Sequence, residues 1–204
     1  MLNFDSQEEK EVYNWIMELY ERGIITSFTH QPESFQLSHK RRVPIKKVMK
    51  TKTVDSDFHL MNGHLYTADF LIHWNSEYLN KMFYELNMNQ VLPAINYKEM
   101  LIACENDDFT GFCSYIEVKP IFDQNNMTRL FKINQKWVLD KYGIFVNMII
   151  PDKLFEMTFT PGKRLVLEKT GKPRKVNYKN VININEYLSK LELCKITEEQ
   201  VKLF

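Results

Sequence analysis

Val12, Ile16 and Leu19 recur at the three- and four-residue spacing of one helical face, with charged and polar residues set between them. The spacing predicts a helix over residues 7–22, with Ser6 as its N-cap and Gly23 as its stop. Glu9 lies at the N-terminal end of that stripe and so faces inward. Ser6-Gln7-Glu8-Glu9 also fits a capping box with Glu9 at the third helical position, and capping and site roles can coexist. Glu8, within a turn of Val12 and Trp15, is the alternative inward carboxylate. Residues 25–28 and 35–37 then read as short strands, interrupted by Pro32. Residues 57–61 and 64–74 flank Asn62-Gly63, the best hairpin signal in the chain, and the second of these strands carries Asp69.

Residues 76–86 suit a short helix whose apolar positions are Tyr78, Leu79, Met82, Phe83 and Leu86. Residues 97–103 fit a strand or a helix equally well. Strand alternation returns in Tyr115-Ile116-Glu117-Val118-Lys119-Pro120, where Glu117 and Lys119 project to one side and Ile116, Val118 and Pro120 to the other. A polar loop leads to Thr128, the N-cap of a helix that reaches Tyr142 and is closed by Gly143. Phe131, Gln135 and Val138 share one stripe of it, which puts Gln135 at the inward edge. Residues 144–150, bounded by Gly143 and Pro151, read as a buried strand, and residues 185–193 as a closing helix.

Against this frame the charged residues acquire meaning. Asp69 abuts the apolar run Phe70-Leu71-Ile72, where an unpaired charge is costly to bury. A carboxylate there requires a metal, a cation or water. If its strand neighbours the one bearing Glu117, the two carboxylates share a divalent metal, with Lys119 beside the water that the metal activates. That is the core of a phosphodiester-cleaving site. His59, His64 and His73 have no metal-ligand spacing, and no zinc is expected.

A chain of 204 residues with ordinary apolar content buries one sizeable core. Its formal net charge of +1 gives no global electrostatic signature of nucleic-acid binding, so any footprint comes from clusters. The run from His39 to Lys52 is such a cluster. It carries Lys40, Arg41, Arg42, Lys46, Lys47, Lys50 and Lys52 without one acidic residue, and suits contact with phosphate backbone. Pro161-Gly162-Lys163-Arg164 and Gly171-Lys172-Pro173-Arg174-Lys175 form further basic turns, without the spacing of a phosphate-binding loop. Cys104, Cys113 and Cys194 are odd in number and form no Cys-x-x-Cys pair, which argues against a disulfide framework. With an acidic amphipathic start and no apolar run of transmembrane length, the expectation is a cytoplasmic protein without a membrane partner.

Asp69 in Tyr66-Thr67-Ala68-Asp69-Phe70, followed by Ile116-Glu117-Val118-Lys119, resembles the motif of the PD-(D/E)xK nuclease superfamily. Ala68 stands where the named motif has Pro, and the stretch between Asp69 and Glu117 is longer than the hairpin of compact members. Ser6-Gln7-Glu8-Glu9 opening a helix resembles the first acidic element of the phage endonuclease I type of junction resolvase and of transposon-end endonucleases. The run from Phe4 to about Phe159, including Ile133-Asn134-Gln135-Lys136-Trp137, resembles nucleases of this superfamily from phages and prophages of gut bacteria.

The resemblance implies an α/β, restriction-endonuclease-like core: a mixed sheet of about four or five strands flanked by helices, with an insertion between the catalytic strands. A nuclease domain would span residues 1–160, with a basic hairpin at 39–52 and the insertion at 76–112, and residues 161–204 would form a basic extension. Asp69, Glu117, Lys119, Glu9 and Gln135 would be catalytic. Asp69, Glu117, the Val118 carbonyl and Glu9 would hold magnesium, or alternatively manganese. Lys136 is second to Gln135, and Lys136 and Arg129 would join the basic hairpin in contacting DNA. The implied activity is metal-dependent cleavage of branched or recombination DNA, by a protein that resemblance allows to be a homodimer. Open alternatives are the end-cleaving subunit of a transposition complex and a non-catalytic DNA-binding or virion-associated protein on a nuclease fold.

Overall fold

The computed structural model describes residues 3–86, 101–105, 111–122, 127–167, 170–176 and 181–191. It opens with helix α1 (Gln7–Glu21), whose N-cap Ser6 accepts from the Glu9 amide and whose exit is taken by Gly23 at φ 69°. Strands β1 (Ile25–His30), β2 (Phe35–Ser38), β3 (Arg41–Val48), β4 (Thr53–Met61), β5 (His64–Tyr66) and β6 (Phe70–Trp74) follow. A single 3-10 turn, Ser76–Tyr78, leads to β7 (Phe83–Glu85); β8 (Leu101–Glu105) and β9 (Phe112–Val118) come next. Helix α2 (Met127–Tyr142), strand β10 (Val146–Ile149), helix α3 (Pro151–Met157) and a second 3-10 turn (Gly162–Leu165) precede helix α4, residues 184–191.

The fold is mixed α/β. Among the described residues its main sheet has six strands, ordered β1-β6-β9-β8-β7, with β10 also paired to β9. The expected four or five strands are thus exceeded, because the stretch between Asp69 and Glu117 adds β7 and β8 to one edge. Strand β9 is the centre: β6 runs antiparallel along one side, and β8 and β10 divide the other. Where β8 departs and β10 begins, the buried Asn147 fills the fork. Its side chain accepts from Ile102 N at 2.8 Å and donates to the carbonyls of Ile102 at 2.8 Å and Tyr115 at 3.1 Å. A side chain here replaces a missing rung of main-chain bonds, which a buried backbone requires.

Two apolar layers cover the sheet. On one face, Val12, Ile16 and Leu19 of α1 pack with Phe70, Ile72, Ile116 and Val118, together with Leu154, Phe155, Phe159 and Ile184. On the other, Phe131 and Val138 of α2 meet Phe35, Leu37, Tyr66 and Val146. Burying each large side chain of this kind contributes about 1.5–3 kcal/mol. Ile184 belongs to the first layer, and Tyr187 and Leu188 pack against it, so the C-terminal helix shares the main core.

Two local readings are corrected. Asn62-Gly63 does not join a hairpin: β4 pairs backwards with the basic strand β3, and β5 pairs with β2. The glycine answers a different need, since a Cβ on Gly63 would lie 3.2 Å from the Ser38 carbonyl and 3.3 Å from the Lys40 amide. Residues 76–86 are not one helix. Asn80 adopts φ 61°, which ends helical progress, and the adjacent Met82 and Phe83 are both buried as the chain enters β7. Residues 97–100 and 192–193 of the expected elements lie outside the described residues.

Because Ile116 is fully buried between β6 and β10, Ile116→Ala is expected to cost about 3 kcal/mol and lower Tm by roughly 6–12 °C. Thermal unfolding followed by circular dichroism measures this; a fall below about 2 °C would show that β9 is not the packed centre.

Candidate active site

The candidate site begins where β5 and β6 meet. The chain leaves β5 after Tyr66, and Asp69 occupies the bend just before β6. The register runs Trp74↔Phe112 to Phe70↔Ile116 and ends there, one residue short of Asp69 on one side and of Glu117 on the other. The Asp69 amide donates to Ile116 O at 3.0 Å, which holds Asp69 at the end of the ladder beside Glu117. Two more contacts fix the aspartate: Gln31 N donates to its carbonyl at 2.8 Å, and Val118 N donates to Oδ2 at 2.6 Å. Val118 therefore meets Asp69 through its amide.

Strand alternation places Glu117 and Lys119 on the same side, away from Ile116 and Val118 in the α1 core. Lys119 Nζ lies 2.6 Å from Glu117 Oε1, and the Tyr66 hydroxyl donates to Glu117 Oε2 at 2.8 Å. The Lys119 amide extends the β9–β10 ladder by donating to Ile149 O at 2.8 Å. Thus the sheet itself, not a flexible loop, aims all three functional groups.

The electrostatics show an excess of negative charge. Burial, then the nearby Glu117 carboxylate, push the Asp69 carboxyl up to about 7. The Val118 amide opposes that rise, Glu9 adds to it, and Lys119 offsets part of it. Burial, followed by the Glu117 and Asp69 charges, drives the Tyr66 hydroxyl upward, so it stays protonated and serves as donor. One ammonium thus faces two closely apposed carboxylates with a third acting on Asp69.

Glu9 is buried at the inward start of α1 and performs its capping role as well. Its amide donates to Ser6 Oγ at 3.1 Å, while its carboxylate accepts from Ser6 Oγ and Asp5 N, each at 3.2 Å. Gln135 is engaged elsewhere: its Nε2 donates to Val146 O at 2.6 Å, on the main chain of β10. It lines an apolar cavity of about 690 Å³ with Phe131, Ile149, Leu154 and Met157. The buried polar residue of that helix is Asn134, one position earlier.

The basic run occupies β3 and the tip of a two-stranded ribbon, exposed along both strands. The neighbouring strand carries acids that sequence order concealed: Lys46 faces Asp55, and Pro44 faces Asp57. Lys40, Arg41, Arg42, Lys47, Lys50 and Lys52 are exposed, as are Arg129 and Lys136 on α2.

Two residues at the site escaped the sequence reading, Tyr66 and His30. Tyr66 lies three positions before Asp69, and a buried phenol calls for a partner. His30 ends β1, two residues beyond the expected strand, and its Nε2 lies 3.6 Å from Glu9 Oε2.

Among the described residues, no group of three or more His, Cys, Asp or Glu side chains is arranged to hold a metal ion. The donor chemistry of Asp69 and Glu117 nevertheless fits a hard divalent cation, because both offer carboxylate oxygens whose mutual repulsion such an ion relieves. Among the described residues no helix is long and apolar enough to cross a membrane. The chain matches no protein-family model, no curated protein and no solved structure.

The Asp69 shift has a consequence for stability. Its ordinary value is 3.8, so from about pH 4 to about 7 the folded chain holds a proton that the unfolded chain has released. Stability therefore falls as pH rises through that window, and the penalty is complete above it. Asp69→Asn removes the charge and keeps an acceptor for the Val118 amide. In EDTA the variant is expected to melt higher than wild type at pH 8, by on the order of 5 °C, with the gap closing near pH 4. Equal melting temperatures at both pH values would contradict the buried carboxylate pair.

Proposed function

We propose that this protein is a metal-dependent DNA endonuclease of the PD-(D/E)xK type, hydrolysing phosphodiester bonds in branched or recombination DNA. One observation carries the reading: Asp69 is bonded through Oδ2 to the Val118 amide, next to Glu117 in β9, whose carboxylate lies 2.6 Å from the Lys119 ammonium. A purely structural role accounts poorly for this arrangement, because the carboxylates repel and Asp69 is driven far from its ordinary value. The preference for branched DNA rests on the resemblance, whereas the cleavage chemistry rests on the residues.

In this reading Asp69 and Glu117 would hold magnesium, which would supply an acidified water and neutralisation of the charge on the scissile phosphate. Water adds to phosphorus, one P–O ester bond breaks, and the leaving alkoxide takes up a proton. Lys119 supplies a fixed positive charge and hydrogen-bond donors to the oxygens on which negative charge develops. Tyr66 holds Glu117 in its rotamer through Oε2, and the Val118 amide does the same for Asp69 through Oδ2. The ribbon formed by β3 and β4 contributes phosphate contacts through Lys47, Lys50 and Lys52, which position the duplex without reading its sequence.

Cleavage of linear duplex, single-stranded and four-way-junction DNA in magnesium, manganese or EDTA tests the reading. Wild type is expected to cut only with metal, and Asp69→Asn and Lys119→Ala to lose at least about 10³-fold in rate while remaining folded. Metal-dependent cutting retained by either variant would remove these residues from the mechanism. Salt-sensitive DNA binding by an uncleaving wild type would establish the non-catalytic DNA-binding alternative.

Replacing Lys47, Lys50 and Lys52 together by Gln is expected to flatten the dependence of log affinity on log salt by about 0.9 for each lysine that neutralises a duplex phosphate. An unchanged slope in fluorescence-anisotropy titrations would place the DNA path elsewhere.

A further inference from the structure

We infer that Glu9 and His30 form a second metal position, distinct in its ligands from the Asp69–Glu117 pair, that takes a first-row divalent transition ion through one oxygen and one nitrogen. The inference deepens the nuclease reading by giving its site a second ion of different chemistry.

The argument starts from a buried nitrogen. His30 Nε2 is inaccessible to solvent and has no hydrogen-bond partner. Buried polar atoms in folded proteins are nearly always paired, and an orphan points to a missing water or ion. The atom facing it is Glu9 Oε2 at 3.6 Å, with the two side chains 8% and 9% exposed. That separation is too long for a hydrogen bond. It suits two ligands of one ion: at about 2.1 Å from a shared metal, donors subtending roughly 90–120° stand roughly 3.0–3.6 Å apart.

The surroundings fix this geometry. The imidazole packs against Phe4 and Phe70, with ring centroids 5.1 and 5.2 Å away. Gln31, immediately after it, is held at φ 49°, in the left-handed region that a non-glycine residue seldom adopts. Its amide binds the Asp69 carbonyl, and its side chain donates to Asp5 Oδ2 at 3.2 Å. The Asp5 amide in turn donates to Glu9 Oε2. His30, Glu9 and Asp69 are thereby linked through the Gln31 amide, the Gln31 side chain and the Asp5 amide, and Glu9 is close enough to act electrostatically on Asp69.

Imidazole nitrogen sets the selectivity. Magnesium favours oxygen donors, whereas later divalent ions of the first transition row bind nitrogen more tightly. Two protein ligands leave the remaining positions to water and to phosphate oxygens.

Cobalt(II) is the probe, read by its visible ligand-field absorption and by calorimetric stoichiometry. In the Asp69→Asn protein, where the first pair is disabled, Co2+ is expected still to bind one equivalent. Adding His30→Gln or, separately, Glu9→Gln should weaken that binding at least ten-fold and alter its absorption, with magnesium affinity changed far less. Circular dichroism and Tm confirm that each variant is folded. If Asp69→Asn alone abolishes Co2+ binding, or if folded His30→Gln and Glu9→Gln variants bind Co2+ as before, the inference is wrong. In either case Glu9 and His30 form only a local ion pair. Co2+ uptake with this dependence in a protein that cuts no DNA would uphold the site while overturning the nuclease.

Discussion

The site depends on how the end of the β6–β9 ladder holds Asp69. Strands β6 and β9 pair from Trp74↔Phe112 to Phe70↔Ile116, and the Asp69 amide adds a bond to Ile116 O. That bond, the Gln31 amide on the Asp69 carbonyl and the Val118 amide on Oδ2 together keep Asp69 beside Glu117, where two carboxylates left to themselves would separate. The pairing is affordable because Ile116, Phe70 and Ile72 are fully buried on the opposite face. Hydrophobic burial on one face of the sheet thus sustains electrostatic strain on the other. Three donors restrain the result: the Val118 amide on Asp69, and Tyr66 and Lys119 on Glu117.

The same arrangement sets a cost in stability. A carboxyl raised to about 7 increasingly favours the unfolded chain as pH rises from about 4 to about 7, since ionisation is easier in water. A neutral amide at Asp69 would satisfy Val118 equally well and relieve the repulsion, so the acid is best understood through its chemistry.

What the sequence made legible were features decided by local geometry. Ser6 and Gly23 bound α1, Gly143 follows α2 at φ 69°, and alternation in β9 separates Glu117 from Ile116. What stayed hidden were contacts decided by distant backbone. Asn62-Gly63 looks like a turn, but Gly63 is small because β2 passes close by, which no neighbouring residue reveals. Lys46 looks like part of an unopposed cationic run until β4 brings Asp55 beside it. A helical stripe marks Gln135 as lying at the inward edge, and it does reach the sheet, but its amide is engaged by the Val146 carbonyl of β10, a partner that its neighbours in sequence do not reveal. Tyr66 and His30 were unreadable for a related reason: each matters through a partner far along the chain.

The position of α1 shows how widely the site is supported. Glu9 is oriented from its own N-terminus by Ser6 and Asp5, but the helix is held from the opposite flank by the C-terminal third of the chain. Arg164 pairs with Glu11 and, at 3.2 Å, with Asp152; Arg174 reaches Glu11 at 3.4 Å. Burial raises the Glu11 carboxyl, and Arg164 is the largest influence drawing it back. Removing either partner would leave a charge with little solvent to receive it. Trp15 adds a second tether through its indole, which donates to Thr158 Oγ1 at 3.0 Å. Thr158, Arg164 and Arg174 therefore act on the position of Glu9 without touching it, because a shift of α1 carries Glu9 away from His30 and Asp69. The basic residues Arg164 and Arg174, which in sequence stand in basic turns, pair with Glu11 and so serve the helix.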